Sequence, residues 1–314
     1  MGNYRLRGRN ALITGGARGL GLELARLLVD GGAHVALVSR HPDELERALA
    51  ELRERAPDVR LLAVPCDLTD GEAVDRMLER VQRELGPVDV LINNAGIIQV
   101  GPLDAMRLED FEQAMKVHYF APLRTMLGLR TGMRARGGGR VVNVSSIGGL
   151  VSVPHLLPYS ASKFALVGLS EGMRSELAAD GILVTTVTPG LMRTGSPRQA
   201  QIKGDHQKEY AWFAISDSLP GISMSSQRAA RKIVDALERG QPTLILGVPA
   251  KLAALAHGLA PNLVGRALTL VNRLLPRSDD ATLRKGHQSE SRWVPSVLTR
   301  LTQRAELRNN ERMA

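Results

Sequence analysis

Asn10-Ala11-Leu12-Ile13-Thr14-Gly15-Gly16-Ala17-Arg18-Gly19-Leu20-Gly21 decides the fold. An apolar run ends at Thr14, and glycines then crowd the turn. Leu20, Leu24, Leu27 and Leu28 follow on one helical face. Glycines at such a turn let the backbone bend sharply and approach a pyrophosphate. The helix behind them offers free N–H groups and the positive end of its dipole. A glycine-rich loop alone is weak evidence. Its place after the first strand of an alternating series strengthens it.

The series continues outward from there. Apolar runs at 33–39, 60–65, 88–93, 140–144, 183–188 and 243–246 read as further strands. Amphipathic stretches at 21–28, 43–55, 72–85, 108–134, 160–179 and 227–238 read as the helices between them. Alternation of this kind predicts an α/β fold: a doubly wound parallel sheet of about seven strands with helices on both faces. Residues 1–247 form the expected nucleotide-binding domain. Within it, 191–226 is polar, lacks periodicity and contains Trp212 and Phe213, so it reads as a lid over a site or as an ordinary surface loop. Residues 248–314 form a basic, amphipathic C-terminal helical extension whose last residues are expected loose or helical at the surface.

A chain of 314 residues, 44% hydrophobic and 3% aromatic, builds an aliphatic core. Its one cysteine, Cys66, excludes an intrachain disulfide and fits a reducing compartment. The beginning of the chain has no apolar signal region, and no run of about 18 apolar residues occurs. These features predict a cytoplasmic protein, with attachment to a membrane surface as the alternative. The net charge is +9, and residues 242–314 carry nine Arg and two Lys against five acids, which is +6 of it. This excess is either a solvated surface or an attraction to anionic surfaces. Aromatics are not interleaved with it, so no nucleic-acid partner is expected. No metal site is expected either.

The second strand decides which nicotinamide cofactor is bound. An acidic residue at its end would accept the ribose hydroxyls of NAD. Here Ser39 removes that charge, and Arg40 can hold a 2′-phosphate by charge-assisted hydrogen bonds. Arg18 in the glycine loop offers a second cation. The expected cofactor is NADP(H).

Tyr159 and Lys163 stand four residues apart and share a helix face. An ammonium near a phenol lowers its pKa from about 10 toward neutrality, so the phenol can exchange a proton with a substrate oxygen. Lys163 can also bond the nicotinamide ribose. Ser146 ends the fifth strand, where ligand sites of open α/β sheets form, and its hydroxyl can bond the reacting oxygen.

Together these residues resemble the short-chain dehydrogenases/reductases. The resemblance spans about residues 8–247: the Thr14, Gly15, Gly19, Leu20 and Gly21 loop, Asp67, Asn93-Asn94-Ala95-Gly96, Ser146, Tyr159, Lys163 and Pro189-Gly190. It implies that Asp67 and Leu68 sit at the adenine, and that Asn94, Ala95 and Gly96 line the cofactor. Pro189, Gly190 and Thr194 would bracket the nicotinamide. Tyr159 would be the general acid/base, Ser146 the orienting hydroxyl, and Lys163 the group that lowers the tyrosine's pKa. It further implies strand order 3-2-1-4-5-6-7 and a homodimer or homotetramer. One position departs: His118 stands where the family has an asparagine that holds a proton-relay water. His118 either binds that water or is a satisfied buried histidine.

Ile97, Ile98, Val153, His155, Leu156 and Leu191 are candidate pocket walls, mostly apolar, which favours a lipophilic small-molecule carbonyl or alcohol. Arg193 either meets substrate or faces solvent. In the extension, Val264, Leu268, Val271 and Leu275 share one helical face and Asn262, Arg266, Thr269 and Arg273 another. This helix, within 250–275, either docks on protein or lies on a membrane. Three readings follow: a working NADP(H)-linked carbonyl oxidoreductase, a catalytically weak NADP(H)-binding sensor or subunit because of His118, and a membrane-peripheral enzyme whose tail delivers lipid substrates.

Overall fold

The computed structural model describes residues 4–219, 222–291, 294 and 299–311, so residues 220–221 of the expected lid and 292–293, 295–298 and 312–314 of the extension lie outside the described residues. Seven parallel strands form the central sheet: Asn10–Thr14, His34–Ser39, Leu61–Pro65, Val90–Asn93, Gly139–Val144, Ile182–Pro189 and Thr243–Leu246. Numbered in chain order, they lie 3-2-1-4-5-6-7 across the sheet. The two-residue period of a strand divides the core cleanly. Ala11, Ile13, Val35, Leu37, Val90 and Ile92 pack on one face, against helices α1 (Gly19–Asp30), α2 (Pro42–Arg55) and α8 (Ser226–Arg239). Leu12, Ala36, Val38 and Leu91 pack on the other, against α3 (Gly71–Glu84), α5 (Ala121–Ala135) and the end of α6 (Leu157–Leu177).

The single helix expected over 108–134 is broken. It runs as α4 (Leu108–Met115), a π turn over Lys116–Phe120, and α5. Pro122 explains the break: it has no N–H to give, and its ring crowds the carbonyl four residues back. The Ala121 N–H reaches back to the Lys116 carbonyl, widening the turn that carries His118.

A buried polar chain fixes α6 to the sheet. Thr125 bonds Asn93, Asn93 bonds Asn143, and Asn143 bonds Ser170 on α6, at 2.9–3.0 Å, while Thr186 also bonds Ser170 at 2.7 Å. Each buried polar group is thus satisfied within the network, and α6 is held in one register beside the sheet.

Residues 191–226 are mostly structured. Met192–Arg193 pairs in parallel with Met224–Ser225, and α7 (His206–Ser218) packs Tyr210, Phe213 and Ala214 over Val100, Leu156 and Ile202. The helix has no apolar stripe, because its buried face carries Glu209, Asp217 and Ser218 beside Tyr210, Phe213 and Ala214, so periodicity could not reveal it. Beyond the sheet come α9 (Val248–Leu259), α10 (Pro261–Leu274), a strand Arg284–Lys285 pairing antiparallel with Gln201–Ile202, and α11 (Arg300–Arg308). The expectation of a loose or surface-lying tail is corrected at its described end: Asn309 and Glu311 are buried. No helix among the described residues is long and apolar enough to cross a membrane.

Candidate active site

The loop after the first strand is held from three sides. The Gly15 and Gly16 N–H groups both donate to the Val38 carbonyl, at 2.8 and 3.2 Å. The Asn94 side chain donates to the carbonyls of Thr14 and Gly15, at 3.2 and 3.0 Å. The Thr14 hydroxyl accepts the N–H groups of Asn94 and Ala95, at 3.1 and 3.2 Å. Gly15 has φ +64°, and a Cβ there would sit 2.8 Å from the Ala95 Cα. A Cβ on Gly21 would strike the Gly15 carbonyl oxygen. Thr14 and Gly21 therefore act behind the loop, as its scaffold. Gly15, Gly19, Leu20, Ala95 and Gly96 line a cavity of about 250 Å³ at the C-terminal edge of the sheet.

Arg18, Ser39, Arg40, Asp67 and Leu68 line one end of that cavity. Their states differ. Arg18 is ion-paired with Glu44 at 2.9 Å and with Glu311 at 3.5 Å. Arg40 is exposed. Asp67 accepts from the N–H and hydroxyl of Thr69, both at 2.9 Å.

Ser146, Tyr159 and Lys163 meet at the other end. The Ser146 hydroxyl bonds the Tyr159 side chain and accepts the Gly148 N–H at 3.0 Å. Lys163 is buried, donates to the Val144 carbonyl at 2.9 Å, and lies 5.7 Å from the Tyr159 ring centre. Burial pulls the Lys163 ammonium down to about 7. The expected fall in the tyrosine pKa is corrected here. Burial, opposed by the Ser146 hydrogen bond and assisted by the Asp217 carboxylate, holds Tyr159 above the ordinary phenol value. The lysine sits too deep in apolar surroundings to remain a full cation beside it.

His118 is 1% exposed, and its ring meets that of Tyr159 edge-on at 5.5 Å. Its Nε2 accepts the Ile97 N–H at 3.1 Å, so its Nδ1 carries the proton, given to the Ser162 hydroxyl at 2.7 Å. Burial first, and the Lys163 charge second, hold it well below the usual histidine range. Both ring nitrogens are engaged by protein. Of the two alternatives read from sequence, the arrangement is that of the satisfied buried histidine, with no free nitrogen for a relay water.

Thr194 reaches the cavity wall, its hydroxyl donating to Ser196 at 2.8 Å. Pro189 and Gly190 stand behind that wall, where the Gly190 N–H donates to the Leu246 carbonyl at 2.9 Å. Arg193 meets Ser223, donating to its carbonyl at 2.6 Å and hydroxyl at 2.8 Å. Ile97 and Ile98 line the cavity, while Val153 and Leu156 pack beside Tyr159 in the apolar cluster under α7. His155, at φ +60°, bonds Glu209 at 2.7 Å, and Glu209 also accepts from Trp212 at 2.7 Å, tying the substrate-side loop to α7.

The C-terminal extension holds the residues that sequence reading missed. Lys285 and Glu311 both line the cavity. The Asn309 carbonyl accepts the Gly19 N–H at 2.9 Å. The Asn309 amide donates to the Thr194 carbonyl at 3.0 Å, and the Asn310 amide donates to those of Ala17 at 2.9 Å and Glu44 at 3.1 Å. These contacts join partners 115 to 293 residues apart, and no local pattern announces them. Burial pushes the Glu311 carboxyl up to about 7, against the pull of Arg18.

A family model described as short chain dehydrogenase matches residues 9–203. A fatty acyl-CoA reductase of Acinetobacter baylyi is 32% identical over 298 residues, covering 94% of each chain. Among solved structures, a short-chain dehydrogenase from Streptomyces avermitilis is 32% identical with TM-score 0.72, covering 85% of this chain and 98% of its own. An L-sorbose reductase from Gluconobacter frateurii, solved with NADPH and L-sorbose, is 27% identical with TM-score 0.70, covering 78% of this chain and 97% of its own.

Proposed function

The chain belongs to the short-chain dehydrogenase family, and from that premise we propose that it is an NADP(H)-dependent oxidoreductase that interconverts a carbonyl and an alcohol on a lipophilic substrate. The observation that carries this reading is the meeting of Ser146, Tyr159 and Lys163 at one end of a groove whose other end is the glycine loop. Such a set favours turnover over a catalytically weak sensor.

The residues present fit the dinucleotide. A Cβ at Gly15 or Gly21 would collide with Ala95 or with the Gly15 carbonyl and distort the loop that phosphate approach requires. Among the described residues Arg40 has no carboxylate partner, and it lines the cavity where a 2′-phosphate is expected. When bound, NADPH supplies the hydride. Tyr159, kept protonated at neutral pH by burial, gives its proton to the carbonyl oxygen as the alcohol forms. Ser146 holds that oxygen in line. Lys163, beside Gly96 and His118, is placed to bond the ribose.

Two features support a lipophilic substrate. Ile98, Val153, Leu156 and Phe213 form an apolar wall around Tyr159. A second cavity, about 590 Å³, opens beside Val153, where Leu103, Leu157 and Leu268 share the lining with Asp104, Ser152, Thr269, Asn272 and Arg277. The curated relative named as a fatty acyl-CoA reductase fits an aliphatic chain there. Membrane-surface contact belongs to the same reading. Val248, Leu252, Leu255 and Leu259 form an exposed strip on α9, and Leu263, Leu270 and Leu274 another on α10. Lys251, Arg266 and Arg273 flank these strips, and no acid occurs between Glu238 and Asp279.

Initial rates with NADPH and NADH across carbonyl substrates of rising chain length test the proposal. The expected result is preference for NADPH and a kcat/KM that rises with chain length. Equal rates with short polar ketones would remove the lipophilic part. Sedimentation with anionic vesicles, with and without Leu255→Asp and Leu270→Asp, tests the membrane part: binding should be lost in the variants.

A further inference from the structure

Lys285 lies on the extension, far outside the matched family region, yet its side chain helps to wall the cofactor groove. Its backbone is fixed at every point. Lys285 pairs with Gln201 across an antiparallel ladder. Its N–H donates to the Gln288 side chain at 2.8 Å, and its carbonyl accepts from Ser289 at 3.1 Å. The next residue, Gly286, lies so close to the Pro197 carbonyl that a Cβ there would strike it. A rigid mount thus carries a long, flexible side chain.

Its surroundings are cationic. Lys285 is half-buried, and burial first, then the charges of Arg40 and Arg18, hold its ammonium below the ordinary lysine value. Among the described residues it has no ion-pair partner. The other titratable groups on this part of the wall are His41, Asp67 and Glu311. Asp67 is turned to Thr69, and Glu311 to Arg18. A lysine held beside two arginines without a counter-ion is unfavourable unless the arrangement awaits an anion. Arg18, the second cation expected from sequence, is already paired with Glu44 and Glu311. Lys285 has no such commitment.

We propose that Lys285 and Arg40 together grip the 2′-phosphate of the cofactor, so that the C-terminal extension carries a determinant of cofactor choice. This rests on the NADP(H) reading above. An ammonium gives a phosphate up to three charge-assisted donors, and Arg40, on the same cavity, gives a planar fork. The extension is then part of the cofactor site.

The test is cofactor affinity, measured by titration calorimetry for the full chain and for Lys285→Met and Lys285→Arg. Lys285→Met keeps the apolar stem and removes the charge. It should weaken NADPH by about tenfold to a hundredfold, the worth of a hydrogen bond to a charged group, and change NADH by less than about twofold. Lys285→Arg should keep NADPH within about threefold of the parent, which excludes a mere folding defect. Unchanged NADPH affinity in Lys285→Met overturns the inference, and so does equal weakening of both cofactors, which would place the ammonium at the shared pyrophosphate. A parent chain that binds NADH as tightly as NADPH would instead defeat the NADP(H) reading itself, and this inference with it.

Discussion

The Gly19 N–H, at the first turn of α1, is bonded to the Asn309 carbonyl at 2.9 Å. Helix N-terminal N–H groups are the usual receptors for a dinucleotide's pyrophosphate. Here one of them is satisfied by the chain's own end. Asn310 and Glu311 strengthen the contact through Ala17, Glu44 and Arg18. The cavity of about 250 Å³ that remains is small against the several hundred Å³ of a typical ligand site. Pyrophosphate approach to this N–H competes with the Asn309 carbonyl. A chain ending at Arg308 should bind NADPH several-fold to about tenfold more tightly, since one backbone hydrogen bond and its neighbours no longer compete. Calorimetric titration of both chains checks this. Weaker binding by the shortened chain would mean that the segment closes over the cofactor instead of competing with it.

His118 is held neutral by burial, and both ring nitrogens are occupied. Turnover should therefore show no acid limb belonging to this residue. His118→Asn should leave the shape of the pH–rate profile unchanged between pH values of about 6 and 8, where a free histidine would titrate. His118→Leu should lower the melting temperature, because the Ile97 N–H loses its acceptor. An acid limb present in the parent and absent in His118→Asn would restore the relay role.

The buried Lys163 makes stability depend on pH with a definite sign. Its folded pKa of about 7 lies below the ordinary 10.5, so the unfolded chain binds the extra proton in that window. Stability then rises with pH from about 7 to 10.5. Asp217 and Glu311, raised to about 7 from 3.8 and 4.5, act oppositely: their contribution falls as pH rises toward 7. The protein should be least stable near neutrality, as far as these groups decide it. Chemical denaturation across pH checks this, and Lys163→Met should lose the rise above pH 7, on the order of 1 kcal/mol per pH unit. A parent and variant with the same alkaline slope would contradict the burial argument.

Gly21→Ala places a methyl group against the Gly15 carbonyl and 2.7 Å from the Asn94 amide. Backbone cannot yield there without opening the loop. The variant should lose at least about 1–3 kcal/mol of stability, the usual cost of overpacking, and bind NADPH weakly. Gly168→Ala, where a Cβ meets nothing within 4 Å, is the control and should be near neutral or better. A Gly21→Ala chain with normal affinity would show that the loop is not the rigid cradle described.

The sheet was legible because its strands are short apolar runs separated by amphipathic helices, and each run falls within two residues of its strand. The glycine loop, Ser146, Tyr159 and Lys163 were legible because their spacing places them at the ends of those elements. The π turn was not, since an amphipathic stripe continues through Pro122 while the hydrogen bonding does not. Helix α7 was hidden because its buried face includes Glu209, Asp217 and Ser218. Lys285 and Asn309 were hidden for a different reason. Their partners Gln201 and Gly19 are distant in sequence, and an Arg-rich tail looks alike whether it is solvated or docked. Of the face expected on α10, Val264, Leu268 and, just past the helix end, Leu275 are half-buried, but Val271 stands exposed, as do Leu263, Leu270 and Leu274 beside it.

The central claim is that Tyr159 delivers the proton in an NADPH-linked carbonyl reduction. It is tested most directly by single-turnover reduction of a long-chain carbonyl compound, with NADPH prebound, by the parent and by Tyr159→Phe. The phenylalanine keeps the ring against His118 and removes only the hydroxyl bonded to Ser146. The rate should fall by about a hundredfold or more with NADPH affinity unchanged, the usual worth of acid–base catalysis. An unchanged rate in Tyr159→Phe would contradict the account.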